Sequence, residues 1–221
     1  MVAKEVKFGI LGLGRGRKAA QQAAQTAGAN LVCVCDLQEE KVKSTAQELD
    51  CDWTTSYDQM LERDDIDAIG VYTSSDTHAD LAMQAIESGK HVFVTKPMDI
   101  NLAKCDRLIE LAKRANLVLA VDFVRRYRKI DHQIRMAITS GLIGNVILGD
   151  LRMKWYRAQS YYDGGWPPGW RSHSRTEGGS AANQGVHSID QLQWFLGAVK
   201  TVQGQSSTFN HQIETEDCSV G

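Results

Sequence analysis

VKFGILGLGRGR, residues 6–17, decides how the first half of the chain folds. A short apolar run ends in glycines, the pattern of a buried strand that passes through a tight turn into a helix. At such a turn Gly12 allows the sharp bend. Gly14 lets a pyrophosphate approach the backbone at a helix N-terminus, where free N–H groups and the helix dipole favour an anion. The third glycine of a dinucleotide fingerprint belongs at position 17, but Arg17 stands there and Gly16 precedes it. A lone glycine motif is weak, and Asp36 strengthens it. That residue ends a second apolar run, NLVCVCD, 22 positions after Gly14, the spacing of a carboxylate that bonds a ribose 2′-hydroxyl. It would repel a 2′-phosphate, so NAD is expected; Arg15 and Arg17 beside the turn keep NADP possible.

Outward from this turn, strand and helix alternate through residue 122. IDAIGVYT (66–73), HVFVT (91–95) and LVLAVDF (117–123) read as further strands. In DTHADLAMQAIESG, Ala79, Ala82, Met83 and Ile86 follow helical spacing and Gly89 ends the helix. Cys105, Leu108, Ile109 and Ala112 repeat that spacing in the next helix. Continuous apolar strands between amphipathic helices predict a parallel sheet covered on both faces. After residue 122 the pattern changes. DHQIRMAITSGLIGNV (131–146) reads as a helix with a glycine stop, and VILGDLRMKWYRAQ (146–159) as a strand of an antiparallel sheet. Residues 158–182 read as a long aromatic loop, NQGVHSIDQLQWFLG (183–197) as a helix, and the tail as strands. Two domains are expected, 1–122 and 123–221: a Rossmann dinucleotide-binding domain, then an incomplete α+β domain with a mostly antiparallel sheet.

Composition removes some classes of function. Of 221 residues, 25 are Lys or Arg and 27 Asp or Glu, a net charge of −2, so no basic field exists to hold nucleic acid or an anionic membrane. No apolar run reaches the ~18 residues of a membrane helix. The start leads directly into a strand, which reads as the lack of a signal peptide. Five cysteines without ligand spacing read as structural thiols in a reducing cytoplasm. Cys33 and Cys35, two apart on one strand, face the same way. His173, His187 and Asp190 have no spacing that demands a metal, and none is expected.

HVFVTKPMD (91–99) carries the chemistry: an apolar strand ends on Lys96, with Pro97 behind it. Ligands of a doubly wound sheet bind outside the carboxyl ends of its strands, which is where Lys96 leaves. Pro97 restricts the backbone that aims it. Apolar surroundings and a positive nicotinamide ring would lower a lysine pKa from ~10.4 towards useful proton exchange. A surface lysine after a strand is the plainer alternative. Asn183, His187 and Asp190, spaced by four and three, are expected on one helical face, with Ile189, Leu192 and Leu196 on a core-facing stripe. His187 can take or give an alcohol proton, and Asp190 would orient it or cap local structure.

With GLGRGR, CD, TSSDTH, GKHVFVTKP, RRY, GLIGNV and GGSAANQGVHSID in this order, the chain resembles the family named for glucose–fructose oxidoreductase, inositol dehydrogenase and the rhizopine-catabolism protein. The resemblance covers the whole chain. It implies a Rossmann domain and a second, sheet-based domain, and hydride transfer between NAD(P) and a secondary alcohol of a sugar, polyol or nucleotide sugar. An NAD-dependent glycosidase or a non-catalytic nicotinamide-binding regulator is the alternative. It places His187 near Lys96, either of which can be the immediate base, with Asn183 positioning substrate. Thr73, Ser74, His78, Thr95, Lys96 and Arg126 join Gly12, Gly14, Arg15, Gly16, Arg17 and Asp36 as cofactor residues. Lys96, Tyr127, Arg157, Tyr162, Trp170, Arg171, Asn183 and His187 are the substrate residues, with Trp155 and Tyr161 beside them; the aromatics could equally cover the second sheet or an interface. Family members usually carry Glu at position 95, Thr-Pro at 73–74 and often Asp at 183. They usually exceed 300 residues, so the chain reads as a fragment, and a homo-oligomer through the second sheet is expected.

Overall fold

The computed structural model describes residues 5–221; residues 1–4, on which the reading of the N-terminus leaned, lie outside them. The chain divides into two compact units with the boundary after Asp122.

The first unit is a six-stranded parallel sheet in the order β3-β2-β1-β4-β5-β6. Its strands are β1 (Val6–Leu11), β2 (Ala29–Cys35), β3 (Asp52–Thr54), β4 (Ala68–Val71), β5 (His91–Thr95) and β6 (Leu119–Asp122). β3 was not legible in the sequence, since three residues are too few for periodicity. Helices α1 (Gly16–Gln25), α2 (Glu39–Leu49), α3 (Tyr57–Leu61), α4 (His78–Glu87) and α5 (Leu102–Ala115) connect them. Leu31 and Val34 of β2 pack with Ala20 of α1 and Val42 and Ala46 of α2. On the opposite face Cys33, Cys35, Ile69, Val71, Val92 and Val94 pack with Ala79, Ala82, Ala85 and Ile86 of α4 and Leu108 and Ala112 of α5. Burial on both faces is why these strands read as unbroken apolar runs. Burial also pushes the Cys33 thiol up to about 11 and Cys35 to about 12, as expected of structural thiols.

Strand order reverses at β1, which lies between β2 and β4. Such a switch point opens a crevice at the carboxyl ends of the strands. Two glycines shape its wall. Gly12 has φ +84°, and a side-chain carbon there would stand 2.7 Å from the Tyr72 carbonyl oxygen. A carbon on Gly16 would stand 2.8 Å from Tyr72 Cβ.

The second unit contains α6 (Lys129–Thr139), α7 (Gln159–Asp163) and α8 (Val186–Leu196), and an antiparallel pair, β7 (Gln205–Ser207) with β8 (Cys218–Val220). Gly141, with φ +74°, follows α6 as the expected stop. Residues 146–157 differ from the reading: they form no strand and pair with none. Alternating side chains set a strand's faces, yet only a partner's backbone makes it a ladder. The 158–182 stretch is not all loop, since it contains α7 and a short turn at Trp170–Ser172. The stripe on α8 also differs. Ile189 is 56% and Leu196 48% exposed, whereas Ser188 and Asp190 are buried. Among the described residues no helix is long and apolar enough to cross a membrane.

Gly16→Ala should destabilise the protein by about 1–3 kcal/mol, the usual cost of overpacking, because neither Tyr72 Cβ nor the α1 backbone can swing aside. Gly14→Ala, with nothing within 4 Å of the new carbon, should melt like wild type. Denaturant unfolding of the two variants measures both; equal midpoints would remove the Tyr72 contact as a constraint.

Candidate active site

Each unit holds a separate group of candidate residues. In the first, β1 delivers the chain into Gly12, and α1 starts at Gly16 with no side chain capping its first amides and no acidic residue in its first turn. Asp36 follows β2. Its Oδ2 accepts the Leu13 N–H at 2.7 Å and the Lys41 ammonium at 3.0 Å, and its Oδ1 accepts the Gln38 N–H at 3.0 Å. Burial pushes the Asp36 carboxyl up, but these donors outweigh it and hold the group below the usual carboxylate value. An uncapped helix start behind a glycine turn, with a carboxylate on the neighbouring strand, fits a dinucleotide. Gly12, Gly14, Gly16 and Asp36 would hold it.

The two arginines of the turn separate. Arg17, expected at the cofactor, instead pairs with Glu48 of α2; as the second residue of α1 it lies on that helix's flank. Arg15 has Asp122, the last residue of β6, and the Tyr72 hydroxyl among its electrostatic neighbours. It therefore inclines towards the β4–β6 side of the sheet.

Thr95 ends β5 and is buried, and Lys96 behind it is 7% exposed. Asp122 is the Cα partner of Thr95 across the β5–β6 ladder. Burial raises the Asp122 carboxyl, against the pull of Arg15 and Lys96. Sequence reading missed this residue, because only the register sets it beside Thr95. In the loop after β4, the Thr73 and Thr77 hydroxyls share a 2.8 Å hydrogen bond, and Thr77 donates to the Ser74 carbonyl at 2.8 Å. His78 is a correction. Expected at the cofactor, it is 1% exposed, with Nδ1 2.7 Å from the Pro97 carbonyl and Nε2 3.0 Å from the Thr73 carbonyl. Both ring nitrogens face backbone, which leaves neither for a ligand.

In the second unit, Asn183 lies in a π-helical turn, Ala181–Gly185, that precedes α8, and α8 carries His187 and Asp190. Asp190 is buried and accepts two hydrogen bonds from Arg126 Nε (3.0 and 3.1 Å) and one from Nη2 (2.6 Å). Arg126, expected at the cofactor, is thus engaged by the residue expected to orient His187. Phe123 meets the His187 ring edge-on at 6.5 Å. Tyr127 is 67% exposed. The aromatic residues do converge. The Arg157 guanidinium lies 3.8 Å from the Trp155 ring centre and 5.0 Å from that of Tyr161. Arg171 lies 4.7 Å from Tyr161 and 4.6 Å from Trp170. Tyr161 donates to Asn183 Oδ1 at 3.3 Å, and Tyr162 packs edge-on against Tyr161 at 5.2 Å. Among the described residues no cluster of His, Cys, Asp and Glu could hold a metal.

The sheet order and glycine turn define a Rossmann domain of the dinucleotide-binding class. Comparison with known proteins narrows this. Residues 6–123 match the oxidoreductase family with the NAD-binding Rossmann fold, and residues 132–221 match the GFO/IDH/MocA C-terminal domain. The chain belongs to the GFO/IDH/MocA oxidoreductase family. It is 29% identical over 211 residues to scyllo-inositol 2-dehydrogenase (NAD(+)) of Bacillus subtilis (strain 168), a match covering 94% of this chain and 59% of that protein. It is 30% identical over 193 residues to inositol 2-dehydrogenase of Rhizobium meliloti (strain 1021), covering 87% and 55%. The structure of the WlbA dehydrogenase from Bordetella pertussis, in complex with NADH and UDP-GlcNAcA, superposes with a TM-score of 0.86 at 27% identity, covering 98% of this chain and 66% of that one. The chain thus spans somewhat more than half the length of these curated relatives.

Asp36→Ala should weaken NAD binding and shift preference towards NADP, since a 2′-hydroxyl partner and the repulsion of a 2′-phosphate disappear together. Titration with both cofactors measures the shift, and unchanged selectivity would take Asp36 out of the adenosine site. Asp36 also predicts a pH effect. Its folded pKa lies below the unfolded value of ~3.9, so its stabilisation is complete above that pH and is lost as pH falls through the folded pKa. Acid unfolding of Asp36→Asn should lose part of its slope below about pH 4; an unaltered slope would contradict the direction of the shift.

Proposed function

We propose that this chain is the NAD-binding part of an oxidoreductase acting on a secondary alcohol of a sugar, polyol or nucleotide sugar. The observation that carries the proposal is Lys96: a buried ammonium at the carboxyl end of β5, two strands from the glycine turn. Ligands of this sheet class gather at that edge. The relatives named as inositol dehydrogenases support the polyol class, and the nucleotide-sugar complex of a structural neighbour supports the wider one.

When bound, NAD supplies the hydride acceptor. The chain's own residues do the rest. The α1 amides and Gly14 would hold the pyrophosphate, and Asp36 would accept from the adenosine ribose. Lys96 exchanges the proton of the substrate hydroxyl, with His187 as the second candidate for that transfer. Asp122 adds a carboxylate near Lys96 and Arg15, which offsets part of the positive charge at this edge. Arg157 and Arg171 lie against the Tyr161 ring, and Arg171 donates to the Tyr161 carbonyl at 3.3 Å. Flanking Tyr161, they fit hydroxyl or acidic groups of a sugar whose C–H face packs on the ring. The free cysteines fit a reducing compartment such as the cytoplasm. Self-association through the second unit is part of the same proposal.

Lys96→Ala should leave NAD affinity nearly intact and lower turnover by ~10²-fold or more. Lys96→Arg should fail nearly as badly, because a guanidinium stays protonated. If Lys96 and His187 serve one proton path, the double variant loses less than the sum of the single losses. Nicotinamide absorbance across a sugar and polyol panel, with cofactor affinity measured separately, is the assay. More than about half of wild-type turnover in Lys96→Ala would make Lys96 a strand terminator.

A further inference from the structure

The loops after β4 and β5 are tied to each other by two side chains that reach in opposite directions. His78, the first residue of α4, meets the Pro97 carbonyl at 2.7 Å and the Thr73 carbonyl at 3.0 Å. Asp99, after β5, returns the tie: its Oδ2 accepts the Ala79 N–H at 3.1 Å, and its Oδ1 accepts the Asn101 N–H at 2.8 Å. Both side chains are buried. Pro97 is bonded directly to Lys96, so the group that holds the Pro97 carbonyl also holds the backbone from which the lysine projects.

The proton count on His78 matters. Both of its partners are carbonyls, which only accept. A neutral imidazole has one N–H and can donate to one of them; only the imidazolium donates to both. Burial holds His78 below the usual imidazole value, while the two carbonyls and Asp99 favour the charged ring and Lys96 opposes it. A neutral ring thus donates to one carbonyl only, and the contact to Pro97 is the shorter of the two.

We propose that His78 is the positioning residue for Lys96: its Nδ1–H holds the Pro97 carbonyl and so sets where the lysine amine stands at the carboxyl edge of the sheet. The tie is a matter of geometry in this chain; its effect on turnover rests on the oxidoreductase reading above. It also explains why a histidine whose ring nitrogens both face backbone carbonyls sits at the start of α4. A leucine would fill the volume, but only a donor at Nδ1 holds the carbonyl.

Three substitutions test this. In His78→Asn the amide nitrogen replaces Nδ1; in His78→Gln it falls near Nε2; His78→Leu offers no donor. Two measurements are made on each full-length variant. One is the titration of Lys96, followed by NMR of the ¹³C-methylated amine and assigned with Lys96→Arg. The other is kcat, with NAD affinity measured apart. The expected result is a displaced Lys96 midpoint and a kcat lower by about 10- to 100-fold in the Gln and Leu variants, with near-wild-type NAD affinity. His78→Asn should restore most of both. A wild-type Lys96 midpoint in all three variants, or equal damage in Asn and Gln, overturns the proposal. Should His78→Leu not fold, the Asn–Gln contrast decides alone. Should wild type turn over no sugar or polyol, the oxidoreductase reading fails while the Lys96 midpoint still tests the tie.

Discussion

The close approach of the glycine turn to Tyr72 is the constraint on which the first unit depends. A side-chain carbon at Gly12 or Gly16 would fall inside 3 Å of that residue, so only hydrogen at both positions lets α1 begin against the end of β4. This approach sets the start of α1, and α1 in turn packs Ala20 over Ile10 and Val34. Gly14, facing open space, serves a different end. It leaves the approach to the first amides of α1 open.

The carboxyl edge of the sheet is held by side chains that cross from one loop to the next. Asp36 accepts the Leu13 amide, His78 meets the Thr73 and Pro97 carbonyls, and Asp99 takes the Ala79 amide. Each of these amides and carbonyls lies where the ladder has ended and water is scarce, and a buried backbone group without a partner costs about 1–3 kcal/mol. Side chains that satisfy them also remove freedom from the loops, which suits a binding edge. The second unit uses the same device. Asp217 accepts the Phe209, Asn210 and His211 amides and the His211 ring. Burial pushes its carboxyl up, yet those donors bring it down to about 2.

The sequence made the parallel sheet, its covering helices, the glycine turn and Asp36 legible, because each depends on residues close along the chain. Lys96 was legible for the same reason: an apolar strand that ends on lysine and proline is a local signal. Where the reading failed, the deciding partner lay far away in sequence. Arg17 took Glu48, 31 residues on. Arg126 took Asp190, 64 residues on. The π-helical turn Ala181–Gly185 ahead of α8 was missed because a helical wheel cannot show such a turn.

By itself, then, the sequence determined the class of the first domain, its cofactor chemistry and the strand end that presents Lys96, since periodicity and turn chemistry are properties of short segments. Tertiary structure alone decided which polar groups meet. It placed Asp122 beside Thr95 through strand register, turned His78 from a ligand candidate into a tie between loops, and left residues 146–157 outside any strand. A hydrogen bond needs its partner within about 3 Å, and only the folded chain determines which distant residue stands there.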